Sequence, residues 1–250
     1  MKDKEVLFKV RSLRKRFPNG FEAISNLDLD IYKGECLLMA GSNGSGKTLL
    51  MRMLAGLQEP TEGSIFFKGI ALPQCTGLLR RSLGIVFQDA DSQIVGETVE
   101  EDIRFGPENL KLGKDEIGRR VEDALEMLEM KTKRDFPPRR LSGGEKRRLA
   151  VAGVIAMGCD TIIMDEPFAN LDMIGVVQVI KIIKDLKQAG RTAIILTHEL
   201  EKVLALADRL VILDKGRIRA DGKPEEVLDS LDPGWGVRDP RMGWEAFAHD

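Results

Sequence analysis

The 250-residue chain predicts an α/β fold with a mostly parallel sheet, an N-terminal antiparallel β lobe and a helical insertion. Three observations carry that prediction. Short continuous apolar runs such as "ECLLMA", "TIIMDE" and "TAIILTH" alternate with helix-length stretches, the pattern of parallel strands buried on both faces. Near the N-terminus, apolar and polar positions alternate on either side of a "PNG" turn, as in antiparallel strands. Residues 98–138 are charged and helical, and they separate two halves of the strand–helix alternation.

Taken in order, "VLFKVRSL" and "AISNLDLDI" read as strands of the small lobe, and "GECLLMAG" as a buried strand running into a glycine-rich loop. "KTLLMRMLAGL" has helical spacing and stops at glycine, next to the turn "QEPTEGS"; "GSIFFKG" and "SLGIVFQ" are further strands. In the insertion, "KDEIGRRVEDALEMLEM" is amphipathic and "FPPRR" closes the region. "SGGEKRRLAVAGVIAM" then reads as a helix, "TIIMDE" as a strand and "MIGVVQVIKIIKDLKQAG" as a long helix. "TAIILTH" is a strand, "LEKVLALAD" a helix, and "RLVILDKGRIRADG" a hairpin with Lys-Gly in its turn. The tail "DPGWGVRDPRMGWEAFAHD" is either a loosely docked extension or a contact surface. These divisions give one domain over 1–228, with the helical part inserted at about 90–158, and a short extension over 229–250.

Composition bounds the function. A hydrophobic content of 43% supplies an ordinary core, and a net charge of −2 creates no basic field to attract nucleic acid or acidic lipid. Basic residues cluster only locally, in "RSLRKRF", read as a solvated face, and in "RRLSGGEKRR". Cys36, Cys75 and Cys159 are far apart with no CxxC spacing, so neither a disulfide framework nor a zinc site is expected. Cys36 and Cys159 sit in or beside apolar runs, where a buried thiol in a reducing cytosol fits. No run approaches the ~20 apolar residues of a membrane span, and the N-terminus lacks a signal-peptide core. Membrane association is therefore expected only through a partner.

"GSNGSGKT", residues 41–48, fits GxxxxGK[ST] and lies between a predicted strand and a predicted helix. In that context the backbone N–H groups of Gly41, Ser42, Asn43, Gly44, Ser45 and Gly46 can converge on phosphates, aided by the helix N-terminus. Lys47 reaches the β and γ phosphates and the Thr48 hydroxyl ligates Mg²⁺, with Leu49 continuing the site into the helix. "TIIMDEP" places Asp165 at the end of a buried strand, where it binds Mg²⁺ through water, and leaves Glu166 to polarise the attacking water. "LSGGEKRR" starts a helix with Ser142, Gly143 and Gly144, a second anion corner about a hundred residues after the first. Ser142 with Glu145 is also a capping box, and both roles are compatible.

At these residues the chain resembles the ATP-binding subunits of ABC transporters, over nearly its whole length. The resemblance implies a P-loop NTPase core in which the helical insertion carries the signature motif. "LSGGE" is similar to that signature, which in the family closes on ATP held by the opposite subunit of a head-to-tail dimer. Gln88 in "VFQ" looks like the Q-loop glutamine that contacts Mg²⁺ and the transport partner. Asp172, ending "ANLD", resembles the D-loop residue at the dimer interface, and His198 in "ILTHE" the switch histidine at the γ-phosphate. Phe17 falls where the family places an aromatic ring on adenine, with Phe21 as its rival. The implied catalytic residues are Glu166, His198 and Gln88, and the implied Mg²⁺ set is Thr48, Gln88 and Asp165.

Within the family, "QDADSQIVGETVEEDIRFGPENL" and "LAVAGVIAM" resemble the ATPases of energy-coupling factor importers, which take up vitamins or cobalt and nickel ions. "DADSQ" departs from that group's usual Asn-Pro pair, and the tail is shorter. The resemblance implies two partners, a second ATPase subunit (identical or related) and an integral membrane scaffold protein, with the chain on the cytoplasmic face of the membrane and no nucleic acid bound. An exporter ATPase and a soluble ABC-type ATPase are the alternatives. Soluble relatives usually carry two cassettes or long coiled coils, and neither pattern is visible here.

Overall fold

The computed structural model describes residues 5–243, so Trp244 and the end of the tail lie outside the described residues. The chain runs β1 (Val6–Arg16), β2 (Glu22–Tyr32), β3 (Cys36–Ala40), α1 (Lys47–Leu54), β4 (Glu62–Phe67), β5 (Ile70–Ala71), α2 (Thr76–Ser82), β6 (Leu83–Val86), α3 (Val99–Asn109) and α4 (Lys114–Met127). It continues with α5 (Gly143–Met157), β7 (Thr161–Asp165), α6 (Met173–Gln188), β8 (Thr192–Leu196), β9 (Arg209–Asp214), β10 (Arg217–Gly222) and α7 (Pro224–Asp229).

Two sheets result. The lobe is antiparallel with order β2-β1-β4-β5, and the larger sheet has order β10-β9-β3-β8-β7-β6. All pairings of the larger sheet are parallel except β10 on β9, whose hairpin turns at Lys215 (φ 46°) and Gly216 (φ 71°). Two consecutive positive φ values make the turn that matches strand twist.

Both faces of the larger sheet are covered, which is why its strands read as unbroken apolar runs. Leu38, Ala40, Ile162, Met164, Ala193, Ile195, Leu210 and Ile212 pack with Val121, Leu125, Leu149 and Ile183 of the helices. Their neighbours Leu37, Met39, Ile163, Ile194, Leu196, Val211 and Leu213 pack against the β lobe and α1, including Phe8, Leu13, Leu50 and Phe67. Each strand thus feeds two cores in alternation.

The structure departs from expectation in a few elements. "LEKVLALAD" forms two 3₁₀ turns, Leu200–Lys202 and Leu204–Leu206, in place of a helix. Leu200 and Val203, both 1% exposed, anchor there three residues apart, a spacing the three-residue turn satisfies. Helix α2 went unanticipated because, in only seven residues, it turns just Leu79 and Ser82 inward. The described part of the tail, up to residue 243, folds back on the body: Val237 is buried in the helix-side core and Arg238 pairs with Glu201 at 3.3 Å. Gly236, in the left-handed region at φ 66°, sits so close to Ser42 that a Cβ there would lie 2.9 Å from the serine Cβ.

Candidate functional site

The carboxyl ends of β3, β6, β7 and β8 converge, as doubly wound sheets arrange them for ligands. Strand β3 ends at Ala40 and the chain turns at once into residues 41–46. Gly41 allows that turn, since a Cβ there would meet the Leu213 carbonyl oxygen at 2.1 Å. Gly44 (φ 80°) and Gly46 (φ 108°) adopt the left-handed region. Gly46 is also the N-cap of α1, which has no side-chain cap and no acid in its first turn. The helix therefore presents unpaired N–H groups and about half a positive charge to the cleft.

A cleft of about 550 Å³ opens there, lined by Phe17, Ala23, Asn43 to Leu49, Gln88, Asp165, Glu166 and His198. Lys47 is buried, and its Nζ donates to the carbonyls of Gly41 (2.7 Å) and Ser42 (3.1 Å). Burial pushes its pKa down, while Glu166 and Asp165 pull it up. Thr48 Oγ1 donates to Asp165 Oδ2 at 2.8 Å. Asp165 is 1% exposed, and burial raises its pKa against the opposing hydrogen bond from Thr48. Its Oδ1 is buried with no hydrogen-bond partner among the described residues.

Glu166 follows with φ 48°, a strained value for a side chain of this kind. Its N–H donates to the Leu196 carbonyl at 2.8 Å, which ties the β7 end to the β8 end. Its Oε2 accepts from Thr197 Oγ1 at 3.0 Å and its Oε1 lies 2.9 Å from His198 Nδ1. The carboxylate is buried while His198 is exposed.

Phe17 lines the cleft with its ring stacked on Phe21, centroids 6.5 Å apart. Gly41 and Ser42 underlie the loop rather than line the cleft. Ser142, Gly143, Gly144 and Asp172 are not among the lining residues. Ser142 caps α5, its Oγ accepting from Glu145 N–H at 3.3 Å while Glu145 Oε2 accepts from Ser142 N–H at 2.8 Å. Asp172 caps α6 through Gly175 N–H at 2.8 Å. Ser142, Gly143 and Asp172 are exposed.

Sequence reasoning missed Arg147. It sits 3% exposed on α5 and donates to the carbonyls of Phe87, Gln88, Asp165 and Glu166, with 2.8 Å to Gln88 and 3.1 Å to Asp165. Its only signal was a basic residue one turn inside the serine–glycine helix, hidden in the run "KRR".

Residues 24–169 match the family described as ABC transporter, which is more than half of the chain. The chain is similar to the energy-coupling factor transporter ATP-binding protein EcfA1 of Clostridium novyi (strain NT). That match is 42% identical over 212 residues, covering 84% of this chain and 75% of the relative. Among solved structures it is similar to cbiO1 of Clostridium perfringens, part of the ABC transporter complex cbiONQ. The TM-score is 0.80 at 35% identity, over 90% of this chain and 92% of that one. The ATP-binding cassette MJ0796, a dimer in a post-hydrolysis state bound to ADP and Pi, superposes with TM-score 0.79 at 26% identity, over 87% and 99%.

Proposed function

The chain belongs to the family of ABC transporter ATP-binding subunits, ATPases whose hydrolysis is coupled to transport, and from that premise we propose that it drives an importer of the energy-coupling factor type. The cargo is a vitamin or a transition-metal ion such as cobalt or nickel, chosen by the membrane partner. Residues 1–228 form the ATPase unit, with the helical part at about 90–158 inserted and 229–250 as an extension. The subunit works at the cytoplasmic face of the membrane, held there by the scaffold protein; among the described residues no helix is long and apolar enough to cross a membrane.

The cleft is the observation that carries the reading. It brings the phosphate loop, the Thr48–Asp165 pair and the Glu166–His198 pair to one cavity. Lys47 and the N–H groups of residues 43–46 hold the triphosphate. Glu166, fixed by Thr197, accepts a proton from the attacking water, and His198 orients the carboxylate and faces the γ-phosphate. Phe17 supports the adenine.

Mg²⁺ fits the donors present. Asp165 Oδ1 lacks a partner among the described residues, and Thr48, Gln88 and Asp165 offer the oxygen atoms a hard cation takes. Bound with ATP, the ion would neutralise charge developing on the phosphates. The described residues hold no cluster of three or more His, Cys, Asp or Glu for a metal, so phosphates and water must complete its shell.

The exposed Ser142–Gly144 corner, lying outside its own cleft, supports a two-chain site. In a head-to-tail pair, identical or related, each corner caps the nucleotide held by the other chain, and Asp172 lies at the seam. ATP favours the closed pair through γ-phosphate contacts that ADP cannot make, so hydrolysis opens it. Glu166→Gln should retain ATP affinity, lose roughly 10²- to 10⁴-fold in kcat, and elute as a dimer with Mg-ATP. Wild-type turnover in that variant would remove Glu166 from its role, and an ATP-loaded arrested variant that stays monomeric would remove the seam. Purification with a hydrophobic membrane protein tests the transport assignment; recovery with ribosomes or nucleic acid would reverse it.

A further inference from the structure

We infer that Arg147 is a positioning residue for hydrolysis, joining the Ser142–Gly144 corner to Gln88 and Glu166 through one buried guanidinium. The inference rests on the two-chain reading above and adds a residue to it. Planarity matters here: Nη1 serves the loop after β6, at Phe87 and Gln88, while Nη2 serves the end of β7, at Asp165 and Glu166. Two separate loops are thereby clamped to the second turn of the helix that begins at Ser142. An ammonium could not span them, because it lacks the rigid fork.

Glu166 shows why the clamp bears on chemistry. Its φ of 48° is strained, and strained residues persist only where the surroundings over-determine them. On one side its N–H is held by Leu196; on the other its carbonyl accepts from Ala169 N–H at 3.1 Å, within its own turn, and from Arg147, the one partner on α5. Without Arg147 the backbone carrying the carboxylate has lost one of its three hydrogen bonds, and the one that ties it to α5. The phosphate loop has lost none, since Lys47 and α1 make no hydrogen bond to Arg147.

The rest of α5 supports a mechanical link rather than local packing alone. Lys146 Nζ pairs with Asp91 Oδ1 at 2.6 Å. Gln93 accepts from Phe87 N–H at 3.0 Å and donates to Ile85 and Ala150 carbonyls at 3.1 and 3.4 Å. Residues 87–93 are thus pinned to α5 at three points, and Arg147 alone among these side chains continues the chain of contacts to Glu166. Movement of the corner onto a neighbour's nucleotide is transmitted to the carboxylate through it.

The test uses the full chain with Arg147→Met, which keeps bulk, and Arg147→Lys, which keeps charge. Thermal melting, equilibrium binding of a fluorescent ATP analogue and steady-state Mg-ATP hydrolysis are measured on each. The expected result is retained nucleotide affinity with kcat lowered roughly 10- to 100-fold, the size of a small misplacement of a reacting group. Arg147→Lys should recover only part of it. Turnover per folded molecule equal to wild type in either folded variant overturns the inference. So does a parallel loss of affinity and turnover that follows the melting temperature. Should Arg147→Met fail to fold, Arg147→Lys decides by the same criteria. Failure of the parent reading looks different: wild type would then not hydrolyse ATP, or Glu166→Gln would not arrest it.

Discussion

The Lys47 ammonium donates to two carbonyls of its own loop and makes no ion pair with Asp165 or Glu166. Those neutral contacts can be exchanged for phosphate oxygens without separating a buried salt bridge. Lys47→Ala should therefore weaken ATP binding, measured by calorimetry, by about 1.5–3 kcal/mol, the worth of a hydrogen bond to a charged group. That is roughly 10- to 100-fold in Kd. The cysteines are the opposite case. Burial pushes the Cys36 thiol up to about 12 and the Cys159 thiol up to about 11. Since the thiolate is the nucleophile, neither should react with iodoacetamide at pH 8 until the protein is unfolded. Linkage has a definite sign here. A thiol whose folded pKa is raised contributes stability that is whole below the unfolded value of 9.0 and lost as pH climbs towards 11–12. Alkaline melts should soften across that window, and mass spectrometry of alkylated protein checks the first expectation.

Two helices of the insertion begin with the same device, which allows capping to be separated from nucleotide contact. Thr98 caps α3 in a capping box with Glu101, and Ser142 caps α5 in one with Glu145. Thr98→Ala and Ser142→Ala should each cost about 1 kcal/mol of stability in chemical denaturation. Only Ser142→Ala should also lower ATP turnover; equal activity in the two would reduce the serine–glycine corner to an ordinary helix start. At this scale the sequence was most readable where one pattern had one cause. The run "CLLMA" is apolar because β3 is covered on both sides, and "SGGE" marks a cap whatever else it does. It was least readable after His198, where "LEKVLALAD" has enough apolar residues for a helix. Only the anchoring of Leu200 and Val203 selects 3₁₀ turns, and that depends on core positions no local spacing reveals. Arg147 was hidden for a related reason. Its four acceptors are backbone carbonyls from segments roughly twenty and sixty residues away, and main-chain acceptors leave no trace in residue type.

Across the whole molecule, two cores meet back to back on one sheet, and the cleft lies at the carboxyl ends of its strands. The alternation of strands and helices was enough to predict that plan. The path of the tail was not, because its docking rests on scattered contacts: Val237 and Trp235 against the helix-side core, Arg238 with Glu201, Arg241 with Asp229, and a glycine against Ser42. A side chain at that glycine is strained by its positive φ and collides with the loop that also accepts from Lys47. Gly236→Val should therefore raise the KM for ATP while the β lobe and insertion stay folded, as steady-state kinetics beside circular dichroism would show. An unchanged KM would mean that the loop yields without cost. The contact works in both directions: whatever nucleotide does to Ser42, the turn at residues 233–236 must feel. Protease sensitivity around residues 232–243 then becomes a gauge of nucleotide occupancy, readable on a gel without any label.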